Sequence, residues 1–287
     1  MQLLVQTLNG LTLAGIMFLV SSGFTLVFGV MRVANLAHGA FYLLGGYIAF
    51  STVQVIGNFF LGVLVAAVTT AVLGLVLERT LINRIRGNVM AEVLLTLGLV
   101  FVIDDVALAI WGGDPLSLKL PGLLAESSTL PGSHLVYPNA RLLILGVAVL
   151  VGLGLYYLLR RTRVGAIVRA GVDDREMVGA MGINVRLVFT AVFALGALLA
   201  GMGGALGATV LTLGPGSDAT ILTFALVTVI VGGLGSFEGA VLGSLIVGLL
   251  SNYGEAYFPS LAHFALFAPL VVVLLIRPQG VLGRTTA

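Results

Sequence analysis

The chain has no cysteine and a single lysine, Lys119, among 287 residues. The first absence excludes disulfides, thiolate metal sites and thiol nucleophiles. The second, with Leu120 directly after Lys119, excludes a G-x-x-x-x-G-K-[ST] phosphate loop, so a nucleotide-driven role needs another polypeptide. Histidine is also scarce: His38, His134 and His263 lie far apart and form no H-E-x-x-H pair, and no G-x-S-x-G elbow occurs. The chain is therefore read as no enzyme, with no cofactor or metal of its own. Charge is the next shortage, at 9% of residues against about 25% in an average soluble domain. With 59% hydrophobic residues and a mean hydropathy of +1.15, neither a soluble domain nor a disordered chain fits. A polytopic membrane protein remains.

Every backbone polar group in hydrocarbon must be paired within the protein, which leaves helices or a closed barrel. A barrel shows alternating segments of about ten residues, whereas this chain has continuous apolar runs such as Leu142–Leu159 and Ala262–Ile276. The expected fold is an all-α transmembrane bundle, and the 39 glycines suit close helix approach within it. The start, Met1-Gln2-Leu3-Leu4, lacks the basic region of a cleavable signal, so the first apolar segment is expected to be retained.

Nine segments are long and apolar enough to be read as spans: Leu8–Val30, His38–Ile56, Phe59–Leu77, Ala91–Ile110, Leu142–Leu159, Leu187–Leu211, Thr220–Gly235, Ala240–Ala256 and Ala262–Ile276. The seventh is short and open to a re-entrant reading, so the count of nine stands within a range of eight to ten. With the N-terminus outside, Arg32, Arg79, Arg84, Arg86, Arg160, Arg161, Arg163, Arg169, Arg175, Arg186, Arg277 and Arg284 all fall at inner ends, and only Lys119 and Arg141 outside. Cytoplasmic loops carry the Lys/Arg excess, which also places the C-terminus in the cytoplasm. The proline-bearing stretch 111–140 is expected to be an irregular external loop. The inner stretch 160–186 has no proline and reads as helical.

Within that inner loop, Asp173 stands where an N-cap belongs, with Glu176 three residues on as in a capping box. A helix over Asp174–Met181 follows, and Gly182 occupies the place of a left-handed C′ glycine. Met177, Val178 and Met181 are expected to share one face. The pattern fits a knob for a groove on a partner, and it fits equally a basic connection whose helix lies on its own protein.

Four stretches together resemble one family. They are Gly29-Val30-Met31-Arg32-Val33-Ala34-Asn35-Leu36-Ala37-His38-Gly39, the loop from Val164 through Arg169 and Asp173-Asp174-Arg175-Glu176 to Met181-Gly182-Ile183-Asn184, the run Gly232–Ala240, and Arg277-Pro278-Gln279-Gly280. In order and end to end, they resemble the shorter, LivH-type permeases of branched-chain amino acid ABC importers. Ala166 departs from the family, which more often has a basic residue after the glycine. The resemblance implies a single permease domain over 1–287 in the bacterial inner membrane. Its implied partners are membrane lipid, a second related permease, two cytoplasmic ATPases that hold ATP-Mg, and an extracytoplasmic binding protein, with no nucleic acid. Carried over, Arg169, Asp173, Asp174, Arg175, Glu176, Met177, Met181 and Gly182 belong to the ATPase-coupling element.

Asn35 and His38 near the start of the second span are candidates to line the pathway; alternatively Asn35 caps that helix and His38 satisfies a neighbouring carbonyl. Asp104 and Asp105 suit a proton relay or a partly hydrated interface, and Asp218 is expected to cap or precede the seventh helix at the outer surface. Glu238 is expected at an inner turn. Gly235, Gly239 and Gly243, and Gly203 with Gly207, form G-x-x-x-G patterns that place each set on one helix face for packing or for a subunit contact. Trp111, Tyr137, Tyr156 and Tyr157 fit interfacial aromatic belts. Two further readings stay open, an ion- or proton-coupled secondary transporter and an assembly subunit without a pathway.

Overall fold

A computed structural model describes residues 2–31, 35–118, 120–129, 136–173 and 175–283. Of the positions singled out above, Arg32, Val33, Ala34, Lys119, His134, Asp174 and Arg284 lie outside the described residues, as do the side chains of Asp173, Arg175, Glu176 and His263.

Each apolar segment is a helix, commonly opened by a polar residue that the sequence places just before it. Helix α1 spans Gln2–Met31 and α2 spans His38–Ile56. Asn58 caps α3 (Phe59–Leu77) by accepting from the Leu61 amide; a π turn over Glu78–Ile82 and a short α4 (Asn83–Ile85) prolong it. Asn88 caps α5 (Val89–Trp111) in the same way. After a loop holding the antiparallel strands β1 (Ser127–Thr129) and β2 (Val136–Pro138), α6 covers Asn139–Arg161, α7 Arg163–Asp173 and α8 Arg175–Ala180. Asn184 caps α9 (Val185–Gly207), α10 spans Ser217–Gly232, Ser236 caps α11 (Phe237–Tyr257), and α12 covers Ala262–Ile276. Such side-chain caps satisfy amides that the helix leaves without partners.

Among the described residues, six helices are long and apolar enough to cross a membrane: α1, α2, α3 with its extension to Ile85, α5, α6 and α9. Helices α10 and α11 are long and apolar enough only together, and they meet at 118°. By length and composition the described helices thus give six spans, or seven if the bent pair counts as one, short of the expected nine. For α10 and α12, though not for the 21-residue α11, the reason is length. At 1.5 Å per residue, the 16 residues of α10 and the 15 of α12 reach roughly 24 and 23 Å, short of a hydrocarbon core of about 30 Å.

Helices α1 and α9 form the centre, while α5 and α6 turn large apolar side chains such as Phe101, Leu150 and Leu153 outward. Glycines bring the central backbones together: Gly196 of α9 meets Gly23 of α1, Gly201 meets Gly45 of α2, and Gly204 meets the Tyr42 carbonyl. Gly203 faces Val20 of α1, whereas Gly207, one turn on, faces the Tyr42 hydroxyl of α2; the pair serves two neighbours instead of one. Gly239 and Gly243 set α11 against the backbone of α10 at Gly232 and Thr228. Gly235 does not share their face. It lies in the turn before α11 with φ of 77°, beside Gly29, because the chain must reverse there.

The two ends of the bundle differ. At one end, Thr190 of α9 meets Glu78 after α3, Arg160 of α6 meets Glu238 of α11, and the Val281 and Leu282 amides donate to the last carbonyls of α10. Arg84, Arg86, Arg160, Arg161, Arg186 and Arg277 follow these contacts to that end. The opposite end carries the 112–138 loop, whose Leu116 pairs with Leu213. There Trp111 donates to Ser51 and stacks on Tyr47 at 4.9 Å, and Tyr137 is buried against Thr12 and Asn9. Trp111 and Tyr137 are thus packed residues, and only Tyr156 and Tyr157 face outward. Asp218 is also a correction: it is buried in the first turn of α10, alongside Asp104 of α5, because α10 starts within the bundle.

Candidate functional site

The arginine-bearing end displays a two-helix projection, α7 and α8. Thr162 starts it: its hydroxyl accepts from the Gly165 amide (3.1 Å), and Gly165 lies so close to the Leu158 and Leu159 carbonyls that a Cβ has no room. Helix α7 then turns Val168 inward and leaves Arg169 half-buried. Between α7 and the helices α6 and α9 lies an apolar cavity of about 340 Å³, lined by Leu26, Leu158, Ile183 and Val192 among others. A second, mixed cavity of about 470 Å³ borders Arg160, Arg169, Ser236 and Glu238. The Arg160 Nη2 to Glu238 Oε1 pair beside it, at 2.5 Å, is half exposed on both sides.

Helix α8 is shorter than expected, six residues starting at Arg175. Asp173 is the last residue of α7, so it closes one helix instead of standing immediately before the next. The far end is a complete Schellman turn. The Ile183 amide donates to the Val178 carbonyl (3.4 Å), the Gly182 amide donates to the Gly179 carbonyl (3.0 Å), and Gly182 holds φ of 79°. Met181 thereby leaves the helix and joins the turn. The expected shared face is also corrected: Val178 is 3% exposed and packs inward, while Met177 (61%) and Met181 (72%), four residues apart, face out together. Two flexible thioether side chains on one exposed face suit an adaptable contact. Only four residues, Met181 to Asn184, separate α8 from α9.

Asn35 and His38 lie deeper. The Asn35 side chain accepts from the Ala37 amide (3.2 Å), an Asx turn that leads into α2. His38 is buried, with Nε2 2.9 Å from the Val20 carbonyl of α1 and its ring edge-on to Phe24 at 5.5 Å. His38 ties the start of α2 to the middle of α1, whereas the Asn35 side chain bonds locally, ahead of α2. Among the described residues, no group of three or more His, Asp or Glu residues is arranged to hold a metal.

One constellation went unnoticed in the sequence. Glu78, in the π turn and 1% exposed, is paired by Arg86 Nη2 and accepts from the Thr190 hydroxyl of α9 at 2.5 Å. The Arg86 guanidinium also lies 4.3 Å from the centre of the Phe189 ring. Next to it, buried Glu92 of α5 accepts from the Gly87 amide (2.8 Å). The charges at Glu78 and Arg86 are visible in the sequence, but a regular helix separates residues eight apart by about 12 Å along its axis. The π turn and the break before Asn88 let them meet.

These features have full-length counterparts. Residues 6–276 match the family described as the permease component of branched-chain amino acid transport systems. The chain is 31% identical, over 98% of its own length and 96% of the relative, to the high-affinity branched-chain amino acid transport system permease protein BraD of Pseudomonas aeruginosa. It is 29% identical, with the same two coverages, to the permease protein LivH of Escherichia coli K12, and 26% identical to a probable LivH of Methanocaldococcus jannaschii over 94% of this chain and 89% of that one. No solved structure matches. A multi-pass helical bundle with these four signature stretches, matched along nearly its whole length, belongs to the family of branched-chain amino acid ABC transporter permeases.

Proposed function

We propose that this chain is the membrane permease subunit of an ATP-driven importer of branched-chain or related amino acids, moved by separate ATPase subunits that grip α8. The observation that carries the reading is the Schellman-capped α8, which shows Met177 and Met181 at the arginine-bearing end of a family permease. A short helix with an exposed apolar face suits a groove on a partner, and the chain has no phosphate loop of its own. In this reading that end is cytoplasmic, the N-terminus is outside, and the C-terminus is inside the cell. ATP and Mg stay on two ATPase partners. A second related permease completes the pathway, an extracytoplasmic binding protein delivers substrate, and the domain occupies residues 1–287 in the inner membrane. Arg169, Asp173, Asp174, Arg175, Glu176 and Gly182 support the grip, while Asn35 and His38 hold α2 where the pathway wall is formed. Transport then follows from ATPase closure that favours one of two permease states, since an input binding both states equally shifts nothing.

The test is purification in mild detergent followed by reconstitution. Two ATPases and a second permease are expected to copurify, and uptake is expected to require ATP. Uptake by the purified chain alone, following an imposed ion gradient, overturns the reading in favour of a secondary transporter.

A further inference from the structure

We infer that Glu78, Arg86 and Thr190 form the buried latch that passes movement of α8 into the transmembrane bundle, a positioning role that rests on the function proposed above. Helix α8 has a rigid route inward. The Schellman turn at Gly182 and the Asn184 cap join it directly to α9, with Asn184 accepting from the Leu187 amide. Phe189 and Thr190 lie within about 8 Å along the α9 axis of its first residue, at 1.5 Å per residue. At that point α9 is gripped from the side: Thr190 donates to Glu78 Oε2 and Phe189 sits under the Arg86 guanidinium. Glu78 ends α3 and Arg86 leads into α5 through Gly87, whose amide is held by Glu92. One carboxylate thus links the helix that carries α8 to two other membrane helices.

Three details suit a moving contact more than a plain staple. Glu78 opens a π turn, a rare element that often marks a functional site. Arg86 Nε is buried with no hydrogen-bond partner, so the guanidinium holds a donor in reserve. Thr190 Oγ1 also lies 3.0 Å from the Arg186 carbonyl, a second acceptor within α9. A small axial shift of α9 therefore exchanges partners at Thr190 and Arg86 without leaving Glu78 bare.

The test uses the complete importer, with its ATPases and second permease, in proteoliposomes. Substrate taken up per ATP hydrolysed is measured beside the amount of assembled complex. Thr190→Val removes one hydroxyl and keeps the shape; Glu78→Gln keeps the acceptor and removes the charge. Both are expected to lower uptake per ATP by about two- to thirtyfold, with the amount of complex unchanged. Thr190→Ser is expected to restore the ratio. The latch is overturned if uptake and hydrolysis fall in parallel with the amount of complex, or if the ratio is unchanged in Thr190→Val. Should Glu78→Gln fail to assemble, Thr190→Val and Thr190→Ser decide alone. A wild-type importer with normal ATP-driven uptake beside an unaffected Thr190→Val refutes the latch only; wild-type uptake without ATP refutes both readings.

Discussion

Helix α8 is held by two neighbours of opposite character. On the α9 side, the connection is four residues long, carries two caps, and ends at a buried ion pair wrapped by Phe189 and Thr190. On the α7 side, an apolar cavity of about 340 Å³, which also borders Ile183, Asn184 and Leu187 of the α9 side, separates α7 from α6 and α9, and the nearby Arg160–Glu238 pair is open to solvent. Packed interiors transmit displacement because they have little room to yield, whereas a cavity absorbs it. The cavity borders both arms, so the ion pairs make the difference: the buried one fixes α9 to the ends of α3 and α5, and α7, beside the exposed one, is the more compliant arm.

Breaking the stiff side has the largest effect. Glu78→Ala leaves Arg86 without its carboxylate, while the Thr190 hydroxyl keeps the Arg186 carbonyl, and removing one partner of a buried pair costs about 3–5 kcal/mol. A pronounced fall in melting temperature of the purified chain in detergent is expected. Gly182→Ala is next: a Cβ meets no neighbour there, but φ of 79° is left-handed, which costs about 1–2 kcal/mol for a side chain. Melting should drop modestly, while uptake falls further because α8 loses its fixed angle to α9. On the compliant side, Arg160→Gln should change stability by only about 0.2–1 kcal/mol, since the pair is half exposed and screened, and the loss should shrink further in high salt. The smallest stability effect, within about 0.5 kcal/mol, is expected for Met181→Asp on the exposed face. Copurification of ATPases with that variant should nevertheless be lost, which separates docking from folding.

The same contrast governs what could be read from the residues alone. Helices in the membrane are legible because hydropathy reports the solvent directly, and all nine apolar segments are helical. Span count and bends are not, because hydropathy carries no angle: nothing in Gly232–Ser236 states that α10 and α11 meet at 118°. The glycine at 182 is legible as a C′ position since only its φ is at issue. The inward turn of Val178 and the closure of α7 by Asp173 are decided by neighbouring helices, which periodicity over so short a stretch does not identify. The Glu78–Arg86–Thr190 contact joins residues over a hundred positions apart through a π turn, and no local pattern announces either. Tyr137 and Asp218 escape the sequence for a related reason: polar residues near helix ends suggest a surface, and the fold buries both.

The absence of cysteine makes the central claim directly measurable. A single Met181→Cys substitution gives one thiol on the exposed face of the α8 turn, to be probed with a membrane-impermeant thiol reagent. The account predicts no labelling in intact cells, labelling once the cytoplasmic face is opened, and protection when ATPase subunits are bound. Labelling from outside in intact cells, or labelling that bound ATPase leaves unchanged, contradicts it.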